Sequence, residues 1–149
     1  MAKVCVFLAE GFEEVEGLTV VDLLRRAGEE VLMVSIGTSL EVTGSHGIKV
    51  SADRLFEEAD YSDADMLVLP GGMPGTLHLG EHKGLTELLI KFNEADKKVA
   101  AICAAPGVFG ANGILKGRKA TCYPGCEEKL KGAVLSEEAV VRDKNVTTS

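Results

Sequence analysis

Residues 97–107 read KKVAAICAAPG, from Lys97 to Gly107, and the rest of the chain is arranged around them. Two lysines precede a short apolar run; a lone cysteine, two alanines, a proline and a glycine follow it. An apolar run bounded in this way predicts a strand buried on both faces, of the kind found in parallel sheets. Pro106 suits the first turn of a helix, where its missing N–H costs nothing. Cys103 therefore falls where a strand hands over to a helix, on a tight turn among residues without bulk. That is the arrangement of a nucleophile elbow, with the side chain projected from the turn above a helix N-terminus. Such a terminus carries partial positive charge and free N–H donors, so a thiolate and a low pKa are expected at Cys103. An inert, buried thiol is the competing reading.

Outward from that strand the pattern repeats. Upstream, Asp65–Leu69 predicts another buried strand ending in Pro70-Gly71-Gly72-Met73-Pro74-Gly75, and Leu77–Ala95 predicts a helix broken near Gly84. Lys3–Ala9 predicts the first strand; Glu13 and Glu14 open a helix that runs to about Ala27 and stops at Gly28. Val31–Ile36 predicts a strand, Leu40–Val50 a hairpin, and Asp53 a cap for a short helix through Glu58. Downstream, a helix is expected from Pro106 to about Asn112, short strands at Ala120–Cys122 and Ala139–Arg142, and a last strand beginning at Asn145. Alternating strands and helices with short connections define an α/β fold with a mainly parallel sheet covered on both faces. In such sheets ligands bind at the carboxyl ends of the strands, where Gly71, Gly72 and Cys103 all fall.

Composition narrows the partners. The 149 residues suit one domain, and 46% hydrophobic content is enough for a single core. A net charge of −7 argues against nucleic acid and against an anionic membrane surface. With no long apolar window and no basic leader, a cytoplasmic location is expected. Of the four cysteines, Cys5 reads as core, and Cys122 and Cys126 lack the spacing and partners of a zinc site, so no metal is expected.

On a helical wheel, Leu23, Ala27, Val20, Leu24, Gly17 and Val21 form one apolar arc, and Glu16 falls inside it. A carboxylate there must be paired, hydrogen-bonded or protonated, whereas Glu13 and Glu14 are expected to be solvated. Glu16 facing Cys103 makes a proton-sharing pair. The N–H groups of Gly71, Gly72 and Ala104 are candidates for an oxyanion hole. His46 sits in the Gly-rich hairpin; His78 and His82 are spaced i, i+4 and read as a solvated face. Val15 and Leu18 are apolar residues on the polar arc of the first helix and hint at a partner surface.

Four motifs in order, A-E-G-F-E-E-V-E, L-V-L-P-G-G, A-A-I-C-A-A-P and A-T-C-Y-P-G, resemble the ThiJ/PfpI superfamily, specifically its branch of parkinsonism-associated protein deglycases. The resemblance implies a flavodoxin-like three-layer sandwich and a homodimer with the first helix, and hence Val15 and Leu18, in the interface. It maps the reactive cysteine to Cys103, its partner glutamate to Glu16 and the oxyanion glycines to Gly71 and Gly72. Two positions depart from relatives: Ala104 stands where the protease branch has His, and Tyr123 where several relatives have His. His46, near the family's active-site entrance, is a candidate substitute for the latter. Relatives continue past Thr147-Thr148-Ser149 into a turn and a helix, so residues 1–149 are expected to be one domain lacking that end. The implied activity is a cofactor-independent, cysteine-dependent glyoxalase or deglycase acting on methylglyoxal-like aldehydes or glycated adducts. The alternatives are a redox-sensing stress protein or chaperone using an oxidisable Cys103 and, with less support, an intracellular amidase or peptidase.

Overall fold

The computed structural model describes residues 1–149. The elements run β1 (Lys3–Leu8), α1 (Glu14–Arg26), β2 (Glu30–Ser35), β3 (Glu41–Thr43), β4 (Lys49–Ser51), β5 (Arg54–Leu55), β6 (Met66–Leu69), α2 (Gly75–Glu81), α3 (Lys83–Glu94), β7 (Lys98–Ala101), α4 (Pro106–Ala111), β8 (Lys119–Ala120), β9 (Val134–Leu135), β10 (Val141–Asp143) and β11 (Val146–Thr148). Seven strands form the central sheet in the order β10-β11-β7-β6-β1-β2-β5. All neighbours are parallel except β10 and β11. The chain steps from β1 to β2 on one side and later to β6 on the other, so the order reverses beside β1. That is the switch point at which doubly wound sheets open a crevice.

The two-residue period of β1 divides the core. Cys5, Phe7 and Ala9 point into a cluster of 21 buried residues shared with α2, α3 and α4; Val4, Val6 and Leu8 point into a cluster of 8 on the α1 face. Only α1 and the antiparallel β3–β4 hairpin, through Val42 and Val50, cover that second face. The result is a three-layer sandwich with one thick and one thin cover. No helix is long and apolar enough to cross a membrane.

The expected elements are present with shifted edges. Helix α1 starts from Glu13, whose carboxylate caps Glu16 N–H at 3.1 Å, and ends at Ala27 before Gly28 at φ 87°. Its rotation differs from the helical-wheel expectation: Glu14, Gly17 and Val21 are buried, while Leu23 is 59% exposed and Ala27 is exposed. Glu14 can face inward because loop amides meet its charge, as described below, and that compensation is not local to the helix. Asp53 caps no helix; its carboxylate accepts from Met33 N–H at 2.8 Å and from Arg25 at 3.0 Å, joining β2 to α1. The break between α2 and α3 comes at His82, whose Nδ1 accepts from Leu85 N–H at 3.0 Å while its ring edges onto Phe56. Strand β8 is shorter than expected and pairs with β9 outside the main sheet.

Helix α4 lies backbone-to-backbone on the turn at Glu127–Lys129. A Cβ at Gly110 would stand 2.1 Å from the Lys129 carbonyl oxygen, which has no flexible side chain to move aside. Gly110→Ala is expected to destabilise the chain by about 1–3 kcal/mol, the usual cost of overpacking a close contact. A urea denaturation midpoint unchanged from wild type would show that the turn yields freely.

Candidate functional site

Three carboxyl ends, those of β1, β6 and β7, meet at the switch point. Ile102 N–H continues the pairing to Leu69 O at 3.2 Å, and the chain then turns sharply at Cys103, a non-glycine residue at φ 65°. L-residues avoid this region, and a strained backbone there must be held by its surroundings. Here two other loops hold it: Cys103 N–H donates to Ser149 O at 2.8 Å, and Cys103 O accepts Tyr123 N–H at 2.8 Å. Pro106 opens α4 directly afterwards, as expected of an elbow.

Glu16 reaches the same point from α1. Its Oε1 accepts Gly71 N–H at 3.1 Å, and Glu13 N–H donates to Gly71 O at 2.9 Å, so both peptide groups of Gly71 are tied to the start of α1. A Cβ on Gly71 would lie 2.6 Å from Glu16 Oε1 and 2.7 Å from Cys103 Cβ. Glycine is therefore required for the Glu16 and Cys103 side chains to approach across it. Gly72, at φ 96°, turns the loop away, and a Cβ there would collide with Glu13 N at 2.3 Å.

Of the three candidate oxyanion donors, the Gly71 amide is committed to Glu16, while Gly72 and Ala104 N–H groups have no backbone partner. The Ala104 N–H instead bonds to the Cys103 sulfur. Half-buried, Glu16 has its pKa raised chiefly by that burial and also by the Glu13 charge, against hydrogen bonds from Cys103 and Gly71. Cys103 does not show the expected low pKa. Burial first, then the charge and hydrogen bond of Glu16, push the thiol up to about 11, and the Ala104 N–H only partly opposes them. Helix α4 has six residues and no side-chain cap, so its pole is too weak to reverse that balance. The rise belongs to a thiol facing a carboxylate. Moving the proton to Glu16 removes that repulsion and turns the carboxyl into a donor.

The remaining candidates fall around this centre. Tyr123 acts through its backbone N–H; its side chain is exposed. His46 is exposed and directed to Glu14 at 3.1 Å and Glu13 at 3.3 Å rather than to the elbow. Val15 is exposed as expected, whereas Leu18 is half-buried and packs on the chain's own core. Glu14, expected to be solvated, is 4% exposed and accepts N–H groups of His46 at 2.9 Å and Ile48 at 3.3 Å. The ligand atoms of Glu13, Glu14 and His46 lie within 4.8 Å of one another, close enough for a cation. The oxygens of Glu14 are already filled by those donors, and the group works as a clamp between α1 and the β3–β4 hairpin. Sequence reasoning missed Ser149, whose contribution is a backbone carbonyl and carries no residue signal.

A doubly wound sheet with a positive-φ cysteine at a strand-to-helix turn, facing a helical glutamate, defines a class of α/β proteins with a cysteine elbow. Residues 2–149 match the DJ-1/PfpI family, and the chain belongs to it. It is 42% identical over 148 residues to Protein DJ-1 homolog A of Arabidopsis thaliana, covering 99% of this chain and 38% of that protein. A deglycase of Pyrococcus abyssi is 35% identical over 150 residues, covering 99% of this chain and 89% of its own length. Oxidized DJ-1 of Toxoplasma gondii superposes with a TM-score of 0.95 at 35% identity, covering 100% of this chain and 82% of that one. The chain thus spans less than two fifths of the length of its Arabidopsis relatives, which are 38% and 34% covered.

The Glu14 clamp has a pH signature. Burial alone would raise its pKa, but the hydrogen bonds from its own N–H, from His46 and from Ile48 outweigh burial and hold it at about 2. A carboxyl depressed in the folded state contributes stability above its ordinary value of 4.5, and that contribution is lost as pH falls toward 2. Glu14→Gln is therefore expected to lower the urea midpoint at neutral pH, with the gap to wild type closing between those two values. A gap independent of pH would mean that the carboxylate charge contributes nothing.

Proposed function

We propose that this chain is a cysteine-dependent, cofactor-independent enzyme of the deglycase or glyoxalase type, acting on methylglyoxal-like aldehydes or their adducts with amines and thiols. The observation that carries this reading is the approach of Glu16 and Cys103 across Gly71, which puts a proton-transfer group beside a nucleophile. The deglycase name of the Pyrococcus abyssi relative supports the same chemistry.

The shared proton accounts for each step. With the proton on Glu16, the Cys103 thiolate adds to the aldehyde carbon, and the carbonyl oxygen takes that proton as the hemithioacetal forms. Glu16, now a carboxylate, removes the hydrogen on the same carbon and returns it to the neighbouring carbonyl carbon, while the hemithioacetal hydroxyl gives its proton to the oxygen of that neighbouring carbon and becomes the thioester carbonyl. The product is a thioester of a 2-hydroxy acid. Water adds to the thioester, the hydroxy acid leaves, and the thiol is restored. The Gly72 amide, which has no backbone partner, and the Ala104 amide, which faces the Cys103 sulfur, suit the oxygen that gains charge in the addition and hydrolysis steps. On a glycated amine or thiol, the same attack at the sugar-derived carbon would free the modified group.

A homodimer through α1 fits this reading, because Val15 and Leu23 are exposed on its outer surface, 70% and 59% respectively, over the thinly covered face of the sheet. Redox sensing is favoured as a second reading by the Glu16 carboxyl beside the sulfur, where it would hydrogen-bond a sulfinic acid. An amidase or peptidase has less support: Ala104 follows Cys103, and none of His46, His78 and His82 is among the groups acting on the thiol.

Cys103→Ser and Glu16→Gln are each expected to lower methylglyoxal turnover by at least about 100-fold, the lower range for a lost general acid–base group. Lactate formation followed in the purified full chain measures this. Turnover retained in either variant contradicts the mechanism.

A further inference from the structure

Three thiols lie around the elbow, and the chemistry above uses one of them. Cys5 is in the core and fully buried, but Cys122 and Cys126 are half-buried on the loop that follows β8. That loop is tied to the elbow by consecutive backbone hydrogen bonds, Tyr123 N–H to Cys103 O at 2.8 Å and Cys126 N–H to Tyr123 O at 3.0 Å. Beside the elbow is a cavity of about 310 Å³, lined by Met73, Thr76, Leu77, Ala104, Gly107 and Cys126. Cys126 thus shares a cavity with the residue that follows Cys103, and its charge acts on the Cys103 thiol. Cys122 is placed differently: it lines a separate cavity with Pro124 and Ser149, and its Sγ is bonded at 3.4 Å to Tyr123 O.

We propose that Cys126 is a resolving thiol, which closes an intramolecular disulfide with Cys103 after a peroxide has oxidised Cys103. This rests on the reading of Cys103 as a reactive nucleophile. The Cys103 thiolate attacks one peroxide oxygen; the O–O bond breaks, and the departing oxygen takes the Glu16 proton and leaves as water or an alcohol. Cys103 is then a sulfenic acid. The Cys126 thiolate attacks its sulfur, the S–O bond breaks, and the released hydroxide combines with the Cys126 proton to give water. Two thiols have together given two electrons to the peroxide, and an external dithiol reverses the change. A disulfide needs Cα atoms within about 7 Å. The two hydrogen bonds connect the Cys103 and Cys126 backbones through Tyr123. The disulfide would divert Cys103 from irreversible overoxidation.

The test treats the purified full chain with a stoichiometric amount of hydrogen peroxide, counts free thiols and maps peptides without reduction. Wild type is expected to lose two of its four thiols and to yield a Cys103–Cys126 linked pair that dithiothreitol releases. Cys126→Ser is expected to lose the link and to carry one or two added oxygens on Cys103, whereas Cys122→Ser keeps the link. Sulfinic acid on Cys103 of wild type with Cys126 still free, or a link to Cys122, overturns the proposal while leaving a reactive Cys103. A Cys103 inert to both peroxide and iodoacetamide overturns the proposal and the reactive-thiol reading together.

Discussion

The site depends on how closely three backbones can approach at Gly71. The amide of this residue is held by Glu16, its carbonyl by Glu13 N–H, and the space above its Cα is filled by the Cys103 side chain. Any side chain there would separate the Glu16 carboxyl from the Cys103 thiol. The sheet order makes the meeting possible, because β1 and β7 flank β6 and all three end on the same side. The loop after β6 is thus the spacer between Glu16 and Cys103.

The electrostatics of that contact oppose one another. Burial and a neighbouring carboxylate both hold a proton on sulfur, and burial likewise holds one on Glu16. The thiol does not ionise easily while Glu16 is charged, whereas the hydrogen bond from Cys103 favours the Glu16 carboxylate. An isolated low-pKa cysteine would be a permanent thiolate. In the proposed reaction, a pair of this kind would make the nucleophile and its acid together, by one proton transfer, and would place the acid beside the attacked carbonyl oxygen.

Much of the fold was legible in the sequence for physical reasons. The runs at Lys3–Leu8, Met66–Leu69 and Lys98–Ala101 are apolar on both faces, which only a covered parallel sheet satisfies. Glu16, Cys103 and the glycines after β6 were legible because each breaks a local rule: a carboxylate near an apolar arc, a cysteine at a strand's end, adjacent glycines in a turn. The rotation of α1 was not. Counting apolar residues placed Leu23 inside and Glu14 outside, but Glu14 is stabilised by amides 30 or more residues away, in the hairpin. The same holds for the Cys103 turn, which Tyr123 and Ser149 secure with backbone groups that any residue possesses. The pole of a short helix could be anticipated from Pro106; the burial and charge that outweigh it are properties of the assembled site.

The central claim is that Cys103 and Glu16 titrate as one unit. It is tested most directly by the pH dependence of Cys103 alkylation with iodoacetamide in wild type and Glu16→Gln, with the Cys103→Ser background subtracted. A coupled pair predicts a wild-type profile with two steps, because two macroscopic ionisations belong to the pair, and a displaced, single-step profile once the carboxyl is gone. Superimposable profiles in the two proteins would contradict the account and leave Cys103 a thiol that does not sense its neighbour.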